Sequence, residues 1–140
     1  MKNSAVTNNF LRWLIALAVV IGSLGLLSPV LNSNDAYFYA VISKTMVTSH
    51  NWVDLYYAGQ DWLDKPHLPF WLTALSFKLF GVSTFAYVLP GFIFNLIGAL
   101  YTYKLAKLFY DETTGLVAAL IYVTSLHLML SAMDVRAEAY

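Results

Sequence analysis

Three long uncharged runs constrain this chain more than any other feature of it. Residues 13–31, 79–103 and 113–133 contain no Asp, Glu, Lys or Arg over 19, 25 and 21 residues. A helix needs about 20 apolar residues to cross the roughly 30 Å of hydrocarbon in a bilayer. We therefore expect an all-α membrane protein with three transmembrane helices, at about residues 13–31, 85–107 and 113–133.

The overall composition agrees with a membrane class and excludes two kinds of function. Hydrophobic residues make up 59% of the chain, charged residues only 11%, and the mean hydropathy is +0.62, whereas a soluble domain carries about 25% charged residues. Basic and acidic residues are equal in number, so no net charge points to a nucleic-acid partner. The chain has no cysteine, which excludes disulfides and thiol chemistry.

The first uncharged run has a second interpretation, a cleaved signal peptide. A signal peptide has an apolar region of about 7–15 residues followed by a small-residue cleavage site. The run at residues 13–31 is longer, and residues 31–33 fit a cleavage site poorly, so a retained span is preferred. We expect residues 1–140 to form a single transmembrane region, the N-terminal part of a longer protein, with an outer loop at about residues 32–84.

The basic residues predict the orientation of the spans. Arg12 precedes the first run, and Lys104 and Lys107 lie at the link between the second and third. Positive residues next to spans favour the cytoplasmic side. The outer loop (residues 32–84) and the end of the third span, residues 134–138, are then expected on the opposite, non-cytoplasmic face.

Three short elements are expected within the outer loop. Residues 35–48 suit an amphipathic helix, and strands at residues 53–57 and 61–63 suit a small hairpin. Residues 68–80 are apolar, but 13 residues of helix cover only about 20 Å, so this helix is expected to lie in the interface. The expected apolar stripe of the first helix contains Phe38, Val41, Ile42 and Met46, while Ser43, Lys44 and Thr48 face elsewhere.

Asp35 and Lys65 are the first two candidate functional residues. A carboxylate at a helix N-terminus is favoured in its charged form, and it can accept a proton from an attacking hydroxyl. A lysine just before the helix at residues 68–80 suits an anion site. The alternatives are structural: Asp35 can be a helix cap, and Lys65 can contact lipid head groups. Both interpretations stay open for each residue.

The end of the third span supplies two more candidates, Arg136 and Glu138. Charges this close to an apolar span are costly unless they are paired or face a wet cavity. Arg136 could simply pair with Asp134, so a structural role is equally open. The three histidines, His50, His67 and His127, have no spacing typical of metal ligands, so no metal site is expected from this chain alone.

Taken together, these segments resemble the start of the GT-C glycosyltransferases that use polyprenyl-phosphate sugars. The groups that they match best are the protein O-mannosyltransferases and the bacterial transferases that add aminoarabinose to lipid A. The residues that carry the resemblance are NDAYFYA at 34–40, HNW at 50–52, DKPHLPFWL at 64–72, SFKLFG at 76–81 and RAE at 136–138. Their order and spacing follow the family over nearly the whole chain. Three positions depart from it: Ala36 and His67 replace a glutamate and a proline, and Asp64 replaces a glutamate.

The resemblance implies a GT-C-like multi-pass helical bundle and an inverting sugar transfer on the non-cytoplasmic face. Asp35 is then the general base and Glu138 the second acidic residue, while Lys65 and Arg136 contact the donor phosphate. Further candidates for lining the substrate are Tyr37, Tyr39, Asp64 and His67. The implied partners are a polyprenyl-phosphate-linked sugar, membrane lipids and an unidentified lipid, glycan or protein acceptor.

The sequence identifies no cofactor with certainty, and a divalent metal is left open for the full-length protein. If the source is bacterial, the resemblance implies an inner-membrane protein with its active site facing the periplasm. Residues 1–140 alone are expected to be inactive. The alternative is a non-enzymatic three-span protein that binds a lipid carrier or serves as a scaffold or subunit. A transporter is a weaker option, because no paired repeat or broken span is visible.

Overall fold

The chain is helical apart from one small hairpin in the part that the structure describes. The computed structural model describes residues 2–28, 31, 34–62 and 65–125. The helices are α1 (Lys2–Ser23), a 3-10 turn η1 (Leu24–Leu27), α2 (Asn34–Ser49), α3 (Leu68–Phe80), α4 (Thr84–Phe109) and α5 (Glu112–Thr124). The antiparallel strands β1 (Tyr56–Tyr57) and β2 (Gln60–Asp61) lie between α2 and α3.

The first candidate span lies earlier in the chain than the uncharged run indicated. Ala5–Leu27 is long and apolar enough to cross a membrane, whereas the sequence predicted residues 13–31. The helix continues through Arg12, because arginine favours helix and its long side chain can carry the charge away from apolar surface. At the other end Ser28 is extended. The proline that follows it disfavours helical backbone in the preceding residue.

The helix expected at the second span is present, whereas the third span stays a prediction. Thr84–Phe109 is long and apolar enough to span, which agrees with the predicted residues 85–107 to within two residues. Helix α5 ends at Thr124, and its 13 residues cover only about 20 Å. The rest of the predicted third span, residues 126–133, lies outside the described residues.

Helices α4 and α5 pack closely as an antiparallel pair. A Cβ on Gly115 of α5 would lie 2.9 Å from the backbone oxygen of Tyr103 in α4. A Cβ on Gly98 of α4 would overlap the tip of the Tyr122 side chain in α5. The two glycines therefore let the helix backbones approach, as small residues do between membrane helices.

Helix α1 joins this pair at the end where α5 begins. Arg12 bonds the Glu112 carboxylate at 2.5 Å, and the Thr113 hydroxyl donates to the Asn8 side chain at 2.7 Å. Lys107 at the end of α4 lies 3.7 Å from the same Glu112. The segment that connects η1 to α4 therefore lies at the opposite end of the three helices.

That connecting segment has a core of its own. Tyr39, Ile42 and Met46 of α2 are buried with Phe70 and Phe77 of α3. The first turn of α4 completes this core with Ala86, Tyr87 and Val88. Burying side chains of this size contributes about 1.5–3 kcal/mol each. The outer loop is thus a packed unit that rests on the start of α4.

The prediction for Ser43 was wrong. The amphipathic pattern put Ser43 away from the apolar stripe, yet the residue is fully buried, while Val41 of the predicted stripe is exposed. The buried face of α2 is broader than one apolar stripe, because it contacts α3 on one side and β1 on another.

Candidate functional site

The N-terminal ends of α2 and α3 lie next to each other. Asp35 occupies the first turn of α2 and is exposed. One turn later Tyr39 is buried, and its ring meets Phe70 edge-on at 5.3 Å between centroids. Phe70 belongs to the first turn of α3. The contact therefore places the Asp35 end of α2 beside the start of α3.

The hairpin brings the segment with Lys65 to the same end of α2. The ring of Phe38 contacts Tyr57 of β1 at 4.9 Å and stacks on Trp62 at 6.2 Å. Asp35 lies three residues before Phe38, and Lys65 lies three residues after Trp62 and is exposed. The Phe38–Trp62 contact thus joins the two segments that carry the predicted base and the predicted phosphate ligand.

Turn chemistry explains why the hairpin forms at this point. Ala58 and Gly59 both have positive φ angles, 51° and 80°, as a two-residue hairpin turn of type I′ requires. Tyr56 pairs with Asp61 across the strands. The negative charge of Asp54, followed by desolvation and the charge of Asp61, raises the pKa of Tyr56 above its ordinary value of 10.0.

The other sequence-predicted residues fall into three groups. Tyr37 is 53% exposed and available to a ligand, whereas Tyr39 is only 8% exposed and its ring is packed. His67 is half-buried at the start of α3, where its ring bonds a loop carbonyl. The remaining candidates, Asp64, Arg136 and Glu138, lie outside the described residues. Their roles, like those of Asp35 and Lys65, stay predictions.

Two apolar grooves lie elsewhere on the described part of the molecule. One, of about 410 Å³, runs between α1, α4 and α5 with Arg12 in its lining. The other, of about 220 Å³, lies between α3 and α4. Neither lining includes Asp35 or Lys65. Within the described ranges, no group of three or more histidines or acids is placed to hold a metal ion.

Sequence reasoning missed two sets of contacts. It identified Arg12 as a basic residue before the first span but not its pairing with Glu112, 100 residues away. It also missed that His67 and Trp71 both donate to the loop after α2, at 2.9 Å and 2.7 Å. Their spacing of four residues was the available signal, because it puts both side chains on one face of a helix.

Curated relatives match between about two thirds and four fifths of this chain. An undecaprenyl phosphate-α-4-amino-4-deoxy-L-arabinose arabinosyl transferase from Pseudomonas paraeruginosa is 31% identical over 91 residues, which is 64% of this chain and 17% of that protein. A second transferase of that name from Sodalis glossinidius is 37% identical over 94 residues, 66% of this chain and 17% of the relative. A third, from Pseudomonas savastanoi, is 30% identical over 113 residues, 80% of this chain and 20% of the relative.

The chain thus spans about a fifth or less of the length of these relatives. No solved structure matches it. A family model described as dolichyl-phosphate-mannose-protein mannosyltransferase matches residues 64–139, just over half of the chain. That match begins next to Lys65 and includes α3, α4 and α5. The resemblance found in the motifs is confirmed: this chain belongs to the dolichyl-phosphate-mannose-protein mannosyltransferase family.

Proposed function

We propose that this chain is the N-terminal part of a membrane glycosyltransferase that takes its sugar from a polyprenyl-phosphate carrier. The observation that carries the proposal is the Phe38–Trp62 contact, since it joins the segments with Asp35 and Lys65. Both segments lie at the end of the helices away from Arg12 and Glu112. Membership of the family and the names of the relatives support a lipid-linked sugar as the donor.

Asp35 is the proposed general base. Its carboxylate accepts the proton of the acceptor hydroxyl while the hydroxyl oxygen attacks the anomeric carbon. The bond from that carbon to the phosphate oxygen breaks on the opposite side, so the configuration at the anomeric carbon is inverted. The carrier leaves as its phosphate, which is a good leaving group and does not strictly require a general acid. Exposure of Asp35 on the first turn of α2 supports this role, because an acceptor can reach it.

Lys65 is the proposed phosphate ligand, with Arg136 as its partner and Glu138 as the second acidic residue. Negative charge grows on the phosphate oxygen as the bond to the sugar breaks. A cation placed beside that oxygen stabilises the transition state more than the ground state. The position of Lys65 just before the N-terminus of α3 adds backbone N–H groups to the same anion site.

The relatives suggest the first donor to test, undecaprenyl phosphate-α-4-amino-4-deoxy-L-arabinose. We propose that transfer occurs on the non-cytoplasmic face, which in a bacterium is the periplasmic side of the inner membrane. The acceptor is a hydroxyl of a lipid, a glycan or a protein. A divalent metal in the full-length protein stays open.

The test is transfer of labelled sugar by the full-length protein in lipid vesicles, comparing wild type with Asp35→Asn. Asparagine keeps the size of the side chain but cannot take the proton, so we expect kcat to fall by about 10²–10⁴. The matched control is Asp61→Asn, which neutralises another exposed acid of the same outer loop and should leave turnover near normal. Near-normal turnover of Asp35→Asn would remove Asp35 as the base.

The same assay, with binding of polyprenyl phosphate measured beside it, separates the transferase from the non-enzymatic alternative. A lipid-carrier-binding protein or scaffold would bind polyprenyl phosphate yet transfer no sugar from any donor. Binding without transfer by the wild type would therefore favour that alternative over the transferase.

A further inference from the structure

The loop that follows α2 is held in one shape by Asn51. Its side-chain oxygen accepts from the backbone N–H groups of Val53 and Asp54, at 3.0 Å and 3.1 Å. Its amide nitrogen donates to the Asp54 carboxylate at 3.0 Å. These bonds form an Asx-type turn, and the turn fixes the direction of the carbonyl groups within it.

Two successive carbonyls of this loop accept from two side chains of α3. The indole N–H of Trp71 donates to the oxygen of Trp52 at 2.7 Å. Nε2 of His67 lies 2.9 Å from the oxygen of Val53, and a carbonyl only accepts, so Nε2 carries the proton. The two rings are 5.7 Å apart. Because His67 and Trp71 are four residues apart, they act from one face of the helix.

His67 is also the point where α3 begins. Its carbonyl accepts the backbone N–H of Trp71 at 3.0 Å, and its side chain makes no capping bond to the helix. The ring is therefore committed to the loop. Only Pro66 separates His67 from Lys65, and proline fixes its own φ angle. Few backbone rotations are left between the bonded ring of His67 and the backbone of Lys65.

We propose that His67 is a positioning residue that sets where Lys65 meets the phosphate of the lipid-linked donor. The inference rests on the proposed function and adds to it. Asn51 shapes the loop, the Val53 carbonyl holds the ring of His67, and the ring holds the start of α3. The backbone of Lys65 is then fixed on the side that leads into α3.

The experiment measures donor affinity of the full-length protein in lipid, using undecaprenyl phosphate for Kd and the labelled donor for KM. His67→Leu keeps much of the side-chain volume but removes the donor to the Val53 carbonyl. A single hydrogen bond has a modest net effect, so we expect Kd and KM to rise about 3- to 10-fold with little change in kcat. His67→Gln carries an N–H donor at a similar reach and should recover most of the affinity. A general loss of folded protein would lower the apparent kcat and leave KM unchanged.

A second variant asks whether His67 acts through Lys65. In a Lys65→Ala background, His67→Leu should cause no further rise in Kd, because residues that act as a unit are not additive. If the two substitutions raised Kd additively while the wild type still bound undecaprenyl phosphate, the positioning role of His67 would be overturned. The proposed function would not be affected by that result. Failure of the wild type to bind undecaprenyl phosphate would overturn both.

Two further variants serve as controls for the binding experiment. The first control is His50→Asn, which removes another exposed histidine of the outer loop. Asparagine tolerates the positive φ angle of residue 50. The Kd of this variant for undecaprenyl phosphate should match that of the wild type. If His67→Leu does not fold, judged by its thermal unfolding, Trp71→Phe replaces it. That variant loses only the bond to Trp52 and keeps a ring beside His67. It should weaken binding in the same direction, and unchanged affinity would count against the proposal.

Discussion

At the scale of single residues, a few polar side chains decide where the elements of this chain begin. The hydroxyl of Ser83 accepts the N–H of Ala86 at the start of α4, at 3.2 Å. The carboxylate of Asp111 accepts the N–H of Thr114 at the start of α5, at 2.7 Å. Each satisfies a backbone donor that the first turn of a helix leaves unpaired. The tight link between α4 and α5 therefore depends on Asp111.

This cap makes stability depend on pH in a predictable direction. The backbone N–H of Thr114, followed by its side chain, lowers the pKa of Asp111 below 3.8. A lowered carboxyl pKa stabilises the folded state above the unfolded value, and the contribution is lost as pH falls through the folded value. We expect the Tm difference between wild type and Asp111→Asn to be constant near neutral pH and to shrink below about pH 3.8. A series of thermal unfolding curves in detergent checks this, and a difference that does not change with pH contradicts it.

Residue types identified the candidates at Asp35 and Lys65, but not what holds them. An acid before an amphipathic helix and a lysine before an interfacial one can be recognised from order and spacing. The bond from His67 to Val53 cannot, because it joins residues 14 apart whose approach depends on how α2, the loop and α3 pack. Likewise Ser43 looked solvent-facing from its own helix, and only the positions of α3 and β1 show that it is buried.

At the scale of elements, length and end signals predicted the helices well. Helix α3 has the predicted bounds, Leu68–Phe80, since Pro69 suits its first turn and Gly81 ends it with φ 81°. Helix α2 begins and ends within one residue of its predicted limits. The start of α1 was missed, because a charge marks the end of an apolar run but not the end of a helix.

The packing of α4 against α5 gives a prediction with its own comparison. A Cβ at Gly115 would press on the backbone of Tyr103, whereas one at Gly98 would press on the tip of the Tyr122 side chain, which can turn away. We expect Gly115→Ala to destabilise the protein by about 1–3 kcal/mol and Gly98→Ala to destabilise it less. Unfolding in mild detergent measures both. If Gly98→Ala destabilised the protein as much as Gly115→Ala, or more, the helix backbones would not be in close approach at Gly115.

At the scale of the whole molecule, the account depends on which ends of the helices share a face of the membrane. The pairing of Arg12 with Glu112 puts the start of α1 and the α4–α5 link at one end. The connectivity then puts Asp35 and Lys65 at the other. The positive-inside rule predicts that the end with Arg12 and the α4–α5 link is cytoplasmic. That rule and the predicted third span are needed to bring residues 134–138 to the face of Lys65.

The membrane sidedness of single introduced cysteines tests most directly whether Lys65 and Glu138 share one face. Residues 1–140 contain no cysteine, and any cysteine elsewhere in the full-length protein would first be replaced by serine. The full-length protein would carry Gln60→Cys in the hairpin turn, Tyr110→Cys in the α4–α5 link or Ala137→Cys beside Glu138. A membrane-impermeant thiol reagent would be added to spheroplasts, that is, cells whose outer membrane and wall have been removed. We predict labelling of Gln60→Cys and Ala137→Cys, with Tyr110→Cys labelled only after the membrane is opened. Labelling of Gln60→Cys and Ala137→Cys from opposite faces would contradict the account, because Lys65 and Glu138 could not then belong to one site.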